Sequence, residues 1–166
     1  MNHLTKDELA KFNELDDDYD KAYYLVSILF KDKKDKEGEP YIGHLTRVAS
    51  KVNEKNTKVA ALLHDSVEDI EGFTFEDLKE LGFNDEIIEL VRYVTKKDGE
   101  AYHDKISSIL NSNNDEAIKL KYADMSDNYN EERLSKLDIE IQTKLRNKYQ
   151  NEYIRLESYL KERNLL

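Results

Sequence analysis

In the stretch AALLHDSVED (Ala60–Asp69), one imidazole and three carboxylates interrupt a run of Ala, Leu and Val. Val59, Ala60, Ala61, Leu62, Leu63 and Val67 point in most directions around a helix, and a helix that is apolar nearly all round is a buried one. His64 and Asp65 therefore face low dielectric, where a carboxylate requires a cation or several donors. Glu68 follows His64 by four residues and Asp69 follows Asp65 by four, so on one continuous helix each pair shares a surface. The acidic end then flanks whatever the His-Asp pair holds. Two further side chains extend the set: His44 in PYIGHLTRV and Asp124 in AIKLKYADMSDN. Two imidazoles and two carboxylates drawn from three helices make a mixed nitrogen and oxygen site. Such a donor set leaves open positions on a six-coordinate ion of the Mn, Fe or Mg type. An ion of that kind lowers the pKa of water and polarises a phosphoryl oxygen, which is hydrolytic chemistry.

The elements that must position these residues read as helices. A helical stripe of Ala22, Leu25, Val26 and Leu29 predicts a first helix from about Asp17 to Lys31. KDKKDKEGEPYIGH follows as a polar loop punctuated by Gly38 and Pro40. A second helix is predicted over Ile42–Asn53. A third opens near Asn56 or Thr57, which are good caps, and runs through the His-Asp segment. Thr74 with Asp77 resembles a capping box for a short helix that Gly82 ends. Asn84 caps EIIELVRYV, and two more helices are predicted at roughly Glu100–Leu110 and Asn114–Asn128. Leu134, Leu137, Ile141, Leu145, Tyr149, Leu156 and Leu160 recur at spacings that fit one face of a long C-terminal helix, about 131–163. Nothing alternates with period two for long enough to predict a sheet. The expected architecture is all-α: a helical bundle with its core at about 17–137 around a single divalent metal site, the whole of 1–166 forming one domain.

Composition agrees and excludes several classes. With 5 Gly and 1 Pro in 166 residues, and 37% of them charged, helix is favoured over sheet. The formal net charge of -10 argues against nucleic acid or an anionic membrane as partner, since both call for a basic face. A small anionic substrate held by a metal and a few local cations remains compatible. There is no Cys, so thiolate metal sites and disulfides are out. MNHLTKDELAKFNE has no apolar signal region, and no run reaches the length of a membrane span. A cytoplasmic protein with a small-molecule partner is expected, with a homo-oligomer as one possible state.

The ordered set DKEGEPYIGH, AALLHDSVED, FTFEDLKELGF, LVRYVTK and KLKYADMSDN resembles the HD-domain metal-dependent phosphohydrolases, whose signature is H…HD…D. The resemblance covers roughly Leu25 to Leu137 and narrows to the RelA/SpoT-like hydrolase branch, which includes small alarmone hydrolases. The chain is also similar to bacterial single-domain HD proteins with a GESY-like stretch, here GEAYHDKI. The resemblance implies His44, His64, Asp65 and Asp124 as ligands of a divalent metal, with Mn²⁺ expected first and Fe²⁺, Mg²⁺ or Zn²⁺ as alternatives. It places Glu68 and Asp69 beside the water to be activated, as catalytic residues. It puts Asn128 near the nucleotide's sugar, Lys36 at phosphate and Arg47 among the substrate-binding residues; Lys34 is a second cation close by and joins the expected substrate-binding set.

The departures fall at the substrate end. Leu45 stands where the family usually has Pro, Ile70 where it has Thr, and Met125 where the alarmone hydrolases carry a basic residue. Asp35 stands where those enzymes commonly have Arg, which exchanges a bidentate phosphate fork for a carboxylate. Hydrolysis of a nucleotide phosphate ester is the expected activity, with guanosine 3′-diphosphate alarmones (ppGpp) as first substrate. Another nucleotide is the alternative: a nucleoside mono- or triphosphate, or NADPH. A non-catalytic nucleotide-binding HD protein and a helical interaction protein are the readings from other classes.

Overall fold

Among the described residues, six helices begin at a side chain that accepts from the backbone of the first turn, and these caps divide the chain. The computed structural model describes residues 3–166. Among the described residues all regular structure is helical, apart from one isolated bridge between Lys34 and Pro40. Thr5 and Glu8 form a reciprocal capping box on α1 (Lys6–Glu14), a helix the apolar stripes did not predict. Its Phe12 is fully buried. Asp17 caps α2 (Asp18–Leu29). A loop then leads to α3 (Ile42–Ser50).

α4 (Lys55–Leu63) is the central element. Val59 to Leu63 have no solvent exposure, and the helix packs against α2, α3, α7 (Asp85–Val94) and α9 (Asp115–Asn128). The sequence predicts that it continues through the His-Asp pair. Instead it ends at Leu63, turns at His64 and Asp65, and restarts as α5 (Ser66–Asp69). Two side chains explain the turn. His64 Nδ1 donates to the Ala61 carbonyl at 2.6 Å, and Ser66 Oγ donates to the Leu63 carbonyl at 2.6 Å. Each takes up a carbonyl near the break, as short polar side chains do when they compete with the helical ladder. The shared helical surface expected for His64 with Glu68 and Asp65 with Asp69 is therefore not formed as one continuous helix.

The predicted Thr74–Asp77 box opens α6 (Phe75–Glu80), and Gly82, at φ +93°, follows its end. Asn84 caps α7, whose Ile87, Ile88, Leu90, Val91 and Val94 are buried. α8 (Tyr102–Asn111) precedes α9, which Asn114 caps. The predicted C-terminal helix is split into α10 (Glu131–Leu134), capped by Asn130, and α11 (Ile139–Glu162). Leu134 and Leu137 precede α11, and Ile141 is 39% exposed, so the buried stripe of α11 starts at Leu145. Tyr149, Leu156 and Leu160 continue it against α8 and α9. No described helix is long and apolar enough to cross a membrane.

Candidate metal centre and substrate cavity

Four side chains predicted to act together come within reach of one point. α3 supplies His44, the turn after α4 supplies His64 and Asp65, and α9 supplies Asp124. His64 Nε2 lies 3.2 Å from both Asp65 Oδ2 and Asp124 Oδ1. His44 Nε2 lies 3.0 Å from Asp124 Oδ1 and 3.7 Å from Asp65 Oδ2. His44, His64 and Asp124 are all buried and offer one ligand atom each within 4.8 Å of one another.

The hydrogen bonds around the rings say what the centre wants. His44 Nδ1 donates to Asp127 Oδ2 at 2.7 Å, and His64 Nδ1 donates to the Ala61 carbonyl. With Nδ1 donating in this way, a ring in its neutral form turns its Nε2 lone pair toward carboxylate oxygens. His44 Nε2 is buried and makes no hydrogen bond, although Asp124 Oδ1 lies 3.0 Å away. Lone pairs facing carboxylates repel unless a cation stands between them. The donor set therefore fits a divalent ion, which His44, His64 and Asp124 could hold with Asp65 beside them. Where no ion stands there, protons on the rings take its place. Burial opposes a charge on either imidazole, but Asp124 and Asp127 around His44, and Asp65 and Asp124 around His64, hold both above the ordinary pKa, His64 well above. Burial likewise opposes ionisation of Asp124, yet Lys121, 2.9 Å from its Oδ2, and His64 hold it well below the usual range.

Several partners of this centre carry no mark in the local sequence. Tyr41 Oη donates to Asp65 Oδ2 at 2.6 Å, and its ring stacks on Phe30 with centroids 5.2 Å apart. Asp127 accepts from His44, from Arg47 Nε at 2.7 Å and from an Arg133 guanidinium nitrogen at 2.7 Å. Its contact with Nδ1 fixes the His44 ring, the kind of outer partner that a metal-ligating histidine would need. Arg47 does not line the cavity described next; it serves Asp127 instead of the substrate side, where the resemblance placed it. The tie is local, since Arg47 lies one turn after His44 on the same helix face.

Above the centre opens a cavity of about 410 Å³. Glu68, Asp69, Lys34, Lys36 and Asn128 line it. Glu68 Oε1 accepts from the Lys96 backbone N–H at 2.6 Å, and Asp69 Oδ2 pairs with Lys33 Nζ at 2.8 Å. Burial first, then the Asp65 charge, raises both carboxyls above their ordinary range, against the pull of the Lys96 N–H on Glu68 and of Lys33 on Asp69. Asn128 Nδ2 donates to Asp124 Oδ1 at 3.1 Å, which ties the end of α9 back to the centre.

The loop between α2 and α3 sorts its mixed charges by partner. Lys33 is tied to Asp69. Asp35 accepts the backbone N–H groups of Glu37 and Glu39 and pairs with Arg133 at 2.9 Å; Glu37 pairs with Arg133 at 3.1 Å. The carboxylate expected to repel phosphate at Asp35 is thus 6% exposed and neutralised. Lys34 and Lys36 have no such partner among the described residues, and both face the cavity.

Comparison with known proteins agrees with this geometry. A family model described as HD domain matches residues 22–124. A guanosine-3′,5′-bis(diphosphate) 3′-pyrophosphohydrolase of Aquifex aeolicus (strain VF5) is 32% identical over 130 residues, 72% of this chain and 18% of that protein. A probable GTP pyrophosphokinase of Mycobacterium leprae (strain TN) is 49% identical over 67 residues, 38% of this chain and 8% of that protein. The chain thus spans less than a fifth of the length of these curated relatives. A solved structure described as a metazoan ortholog of SpoT that hydrolyzes ppGpp superposes with a TM-score of 0.64 at 22% identity, covering 92% of this chain and 98% of that one. That likeness establishes the shared fold.

Proposed function

This chain belongs to the HD-domain family, and on that footing we propose that it is a divalent-metal-dependent phosphohydrolase of nucleotides, with ppGpp as the substrate to test first and Mn²⁺ as the ion. The observation that carries the reading is the convergence of His44, His64, Asp65 and Asp124 beneath a cavity lined by lysines in a chain of net charge -10. Local cations against an acidic whole point to an anionic ligand drawn to that cavity. Its volume suits a nucleotide-sized molecule.

The chemistry a divalent ion supplies there is Lewis acidity toward water and toward a phosphoryl oxygen. The chain's own residues do the rest by positioning and charge, as phosphoryl transfer demands. Lys34 and Lys36 hold phosphate oxygens at the cavity wall. Glu68 accepts the proton of the attacking water: its carboxyl borders the cavity, its pKa lies above the ordinary range, and the Lys96 N–H fixes its rotamer. Asp69 is steadied by Lys33 and adds negative potential on the same side. Asn128 orients Asp124 through one N–H and offers the sugar its remaining polar capacity. Tyr41 holds Asp65.

The test is a panel of nucleotides incubated with the Mn²⁺-loaded protein and assayed for pyrophosphate and phosphate. Pyrophosphate release from ppGpp supports the assignment. NADPH and nucleoside mono- and triphosphates belong in the same panel, because Met125 and Asp35 depart from the alarmone hydrolases. Turnover of none of them, at full metal occupancy, leaves the non-catalytic nucleotide-binding reading.

A further inference from the structure

Arg133 belongs to no motif, yet its guanidinium joins the two ends of the site. It stands on α10 and lines the cavity. Nη2 donates to Asp35 Oδ2 at 2.9 Å, and Nε donates to Glu37 Oε2 at 3.1 Å. Nη1 donates to Asp127 Oδ2 at 2.7 Å and to the Asp127 carbonyl at 3.2 Å. Asp127 Oδ2 is the oxygen that also accepts from His44 Nδ1. One planar fork thus spans three carboxylates, two from the loop before α3 and one from α9. A guanidinium has the donors for that and an ammonium on a flexible stem does not.

Other cations replace it poorly at either end. Asp35 Oδ1 accepts the backbone N–H groups of Glu37 and Glu39 at 2.9 and 3.1 Å, which folds the loop that carries Lys34 and Lys36. Its other oxygen faces Arg133, while Arg47 stays 3.9 Å away. Glu37 Oε1 is buried without a partner among the described residues, so Arg133 carries the pairing of Glu37 through Oε2. At Asp127, Arg133 and His44 make the two short contacts to Oδ2; Arg47 reaches that oxygen at 3.2 Å, and Lys51 reaches Oδ1 at 3.7 Å. Arg133 also acts from a fixed base, because Asn130 caps its backbone N–H and Glu131 pairs with Arg146 of α11. Without Arg133, two uncompensated carboxylates would border the cavity beside Lys34 and Lys36. They would pair with those lysines or repel a phosphate. Asp127 would lose a donor, and the His44 ring would lose some of the rigidity of its outer partner.

We infer that Arg133 is a positioning residue for both ends at once. It neutralises the loop carboxylates, which leaves Lys34 and Lys36 to meet an anion, and it holds Asp127 on His44. This rests on the metal-dependent nucleotide reading of the cavity and adds to it a residue that acts through others.

Calorimetry reads the two ends separately: Mn²⁺ is titrated into the metal-free protein, and guanosine 5′-diphosphate into protein saturated with Mn²⁺. Arg133→Met weakens Mn²⁺ about 10-fold, the low end for a lost outer contact, because Arg47 still holds Asp127. It weakens the diphosphate about 10-fold as well, the size of one charge-assisted contact. Adding Asp35→Asn and Glu37→Gln to Arg133→Met removes the bare carboxylates and keeps an acceptor oxygen at each position. Diphosphate affinity then returns to within about threefold of wild type, while Mn²⁺ affinity stays weak. Arg133→Lys keeps a cation in place, guards against loss of the fold in Arg133→Met, and recovers at most one of the two affinities. A merely structural residue lowers the melting temperature in every variant and gives no such selective rescue. Unchanged affinities in Arg133→Met overturn the inference, as does recovery of both in Arg133→Lys or in the triple variant. A wild type that takes up no Mn²⁺ rejects the metal centre and this role with it; a wild type that binds both ligands no better than Arg133→Met rejects the role alone.

Discussion

Asp127→Asn removes the charge that holds His44 in place, and its cost can be worked from the structure. The carboxylate is 2% exposed and takes three contacts at 2.7 Å, from His44 Nδ1, Arg47 Nε and Arg133. An amide keeps one acceptor oxygen but turns an NH₂ group toward cationic donors. Removing one partner of a buried charge cluster costs about 3–5 kcal/mol. Arg47 is 40% exposed and recovers part of its hydration, so the low end, about 3 kcal/mol, applies. For a chain of this size that lowers the melting temperature by about 6–12 °C. A structural role alone ends there. A positioning role adds about a 10- to 100-fold loss of Mn²⁺ affinity, because the His44 ring loses its outer partner. The assay is thermal melting by circular dichroism, with Mn²⁺ titration calorimetry on the metal-free protein. Acid adds a check of sign. Burial opposes ionisation of Asp127, but the His44 and Arg47 hydrogen bonds hold its pKa well below the ordinary value. Its contribution is therefore complete above the unfolded pKa of about 3.9 and is lost as the pH falls below that. The stability gap between wild type and variant stays constant from about pH 5 to 7 and narrows below about pH 4. A melting temperature within 2 °C of wild type together with unchanged Mn²⁺ affinity refutes the reasoning.

Glu68→Gln keeps fold and metal stoichiometry but lowers turnover by about 10²–10⁴, the usual loss for a general base; near wild-type turnover transfers the role to Asp69. Replacing Lys34 and Lys36 with Ala raises the Michaelis constant for an anionic nucleotide more than it lowers metal occupancy, read by steady-state kinetics beside metal analysis; unchanged kinetics assign both lysines to solvent. Chelation of the ion abolishes turnover and exposes a pH dependence. The raised pKa values of His44 and His64 contribute stability to the metal-free protein that is present below the unfolded value of about 6.5 and is lost as the pH rises through the folded ones. Metal must displace those protons, so Mn²⁺ affinity rises over the same interval, and a pH-independent affinity contradicts the protonation described.

Elements with a local signature were legible. The Thr74–Asp77 box, the Asn84 and Asn114 caps and the stripe of α7 stand where residue types and spacing put them. α1 was missed although TKDE carries the same capping box, because its single buried residue, Phe12, makes no stripe. The break after Leu63 was missed because neither Gly nor Pro marks it. His64 and Ser66 make it with side-chain bonds to carbonyls, and those residues also occur inside helices. The C-terminal stripe was read through Ser135–Asp138 for the same reason: spacings alone do not reveal that the backbone leaves the helix between Leu134 and Ile139.

The metal end was more legible than the substrate end, and charge pairing is the physical reason. His64 and Asp65 stand out because polar groups within an apolar run need a partner wherever they are. KDKKDKEGE offers no such contrast, since its four lysines are interspersed with four carboxylates. Its net effect is set by partners far along the chain. Asp69 takes Lys33, and Arg133 takes both Asp35 and Glu37 across separations of 98 and 96 residues. What remains facing the cavity is Lys34 and Lys36. A loop that reads as a neutral mixture thereby keeps two cations, unpaired among the described residues, on the cavity side. The substitution at Asp35 does not oppose this: with its carboxylate bound to Arg133, it fastens the lysine-bearing loop to the same Arg133–Asp127 contact that fixes His44.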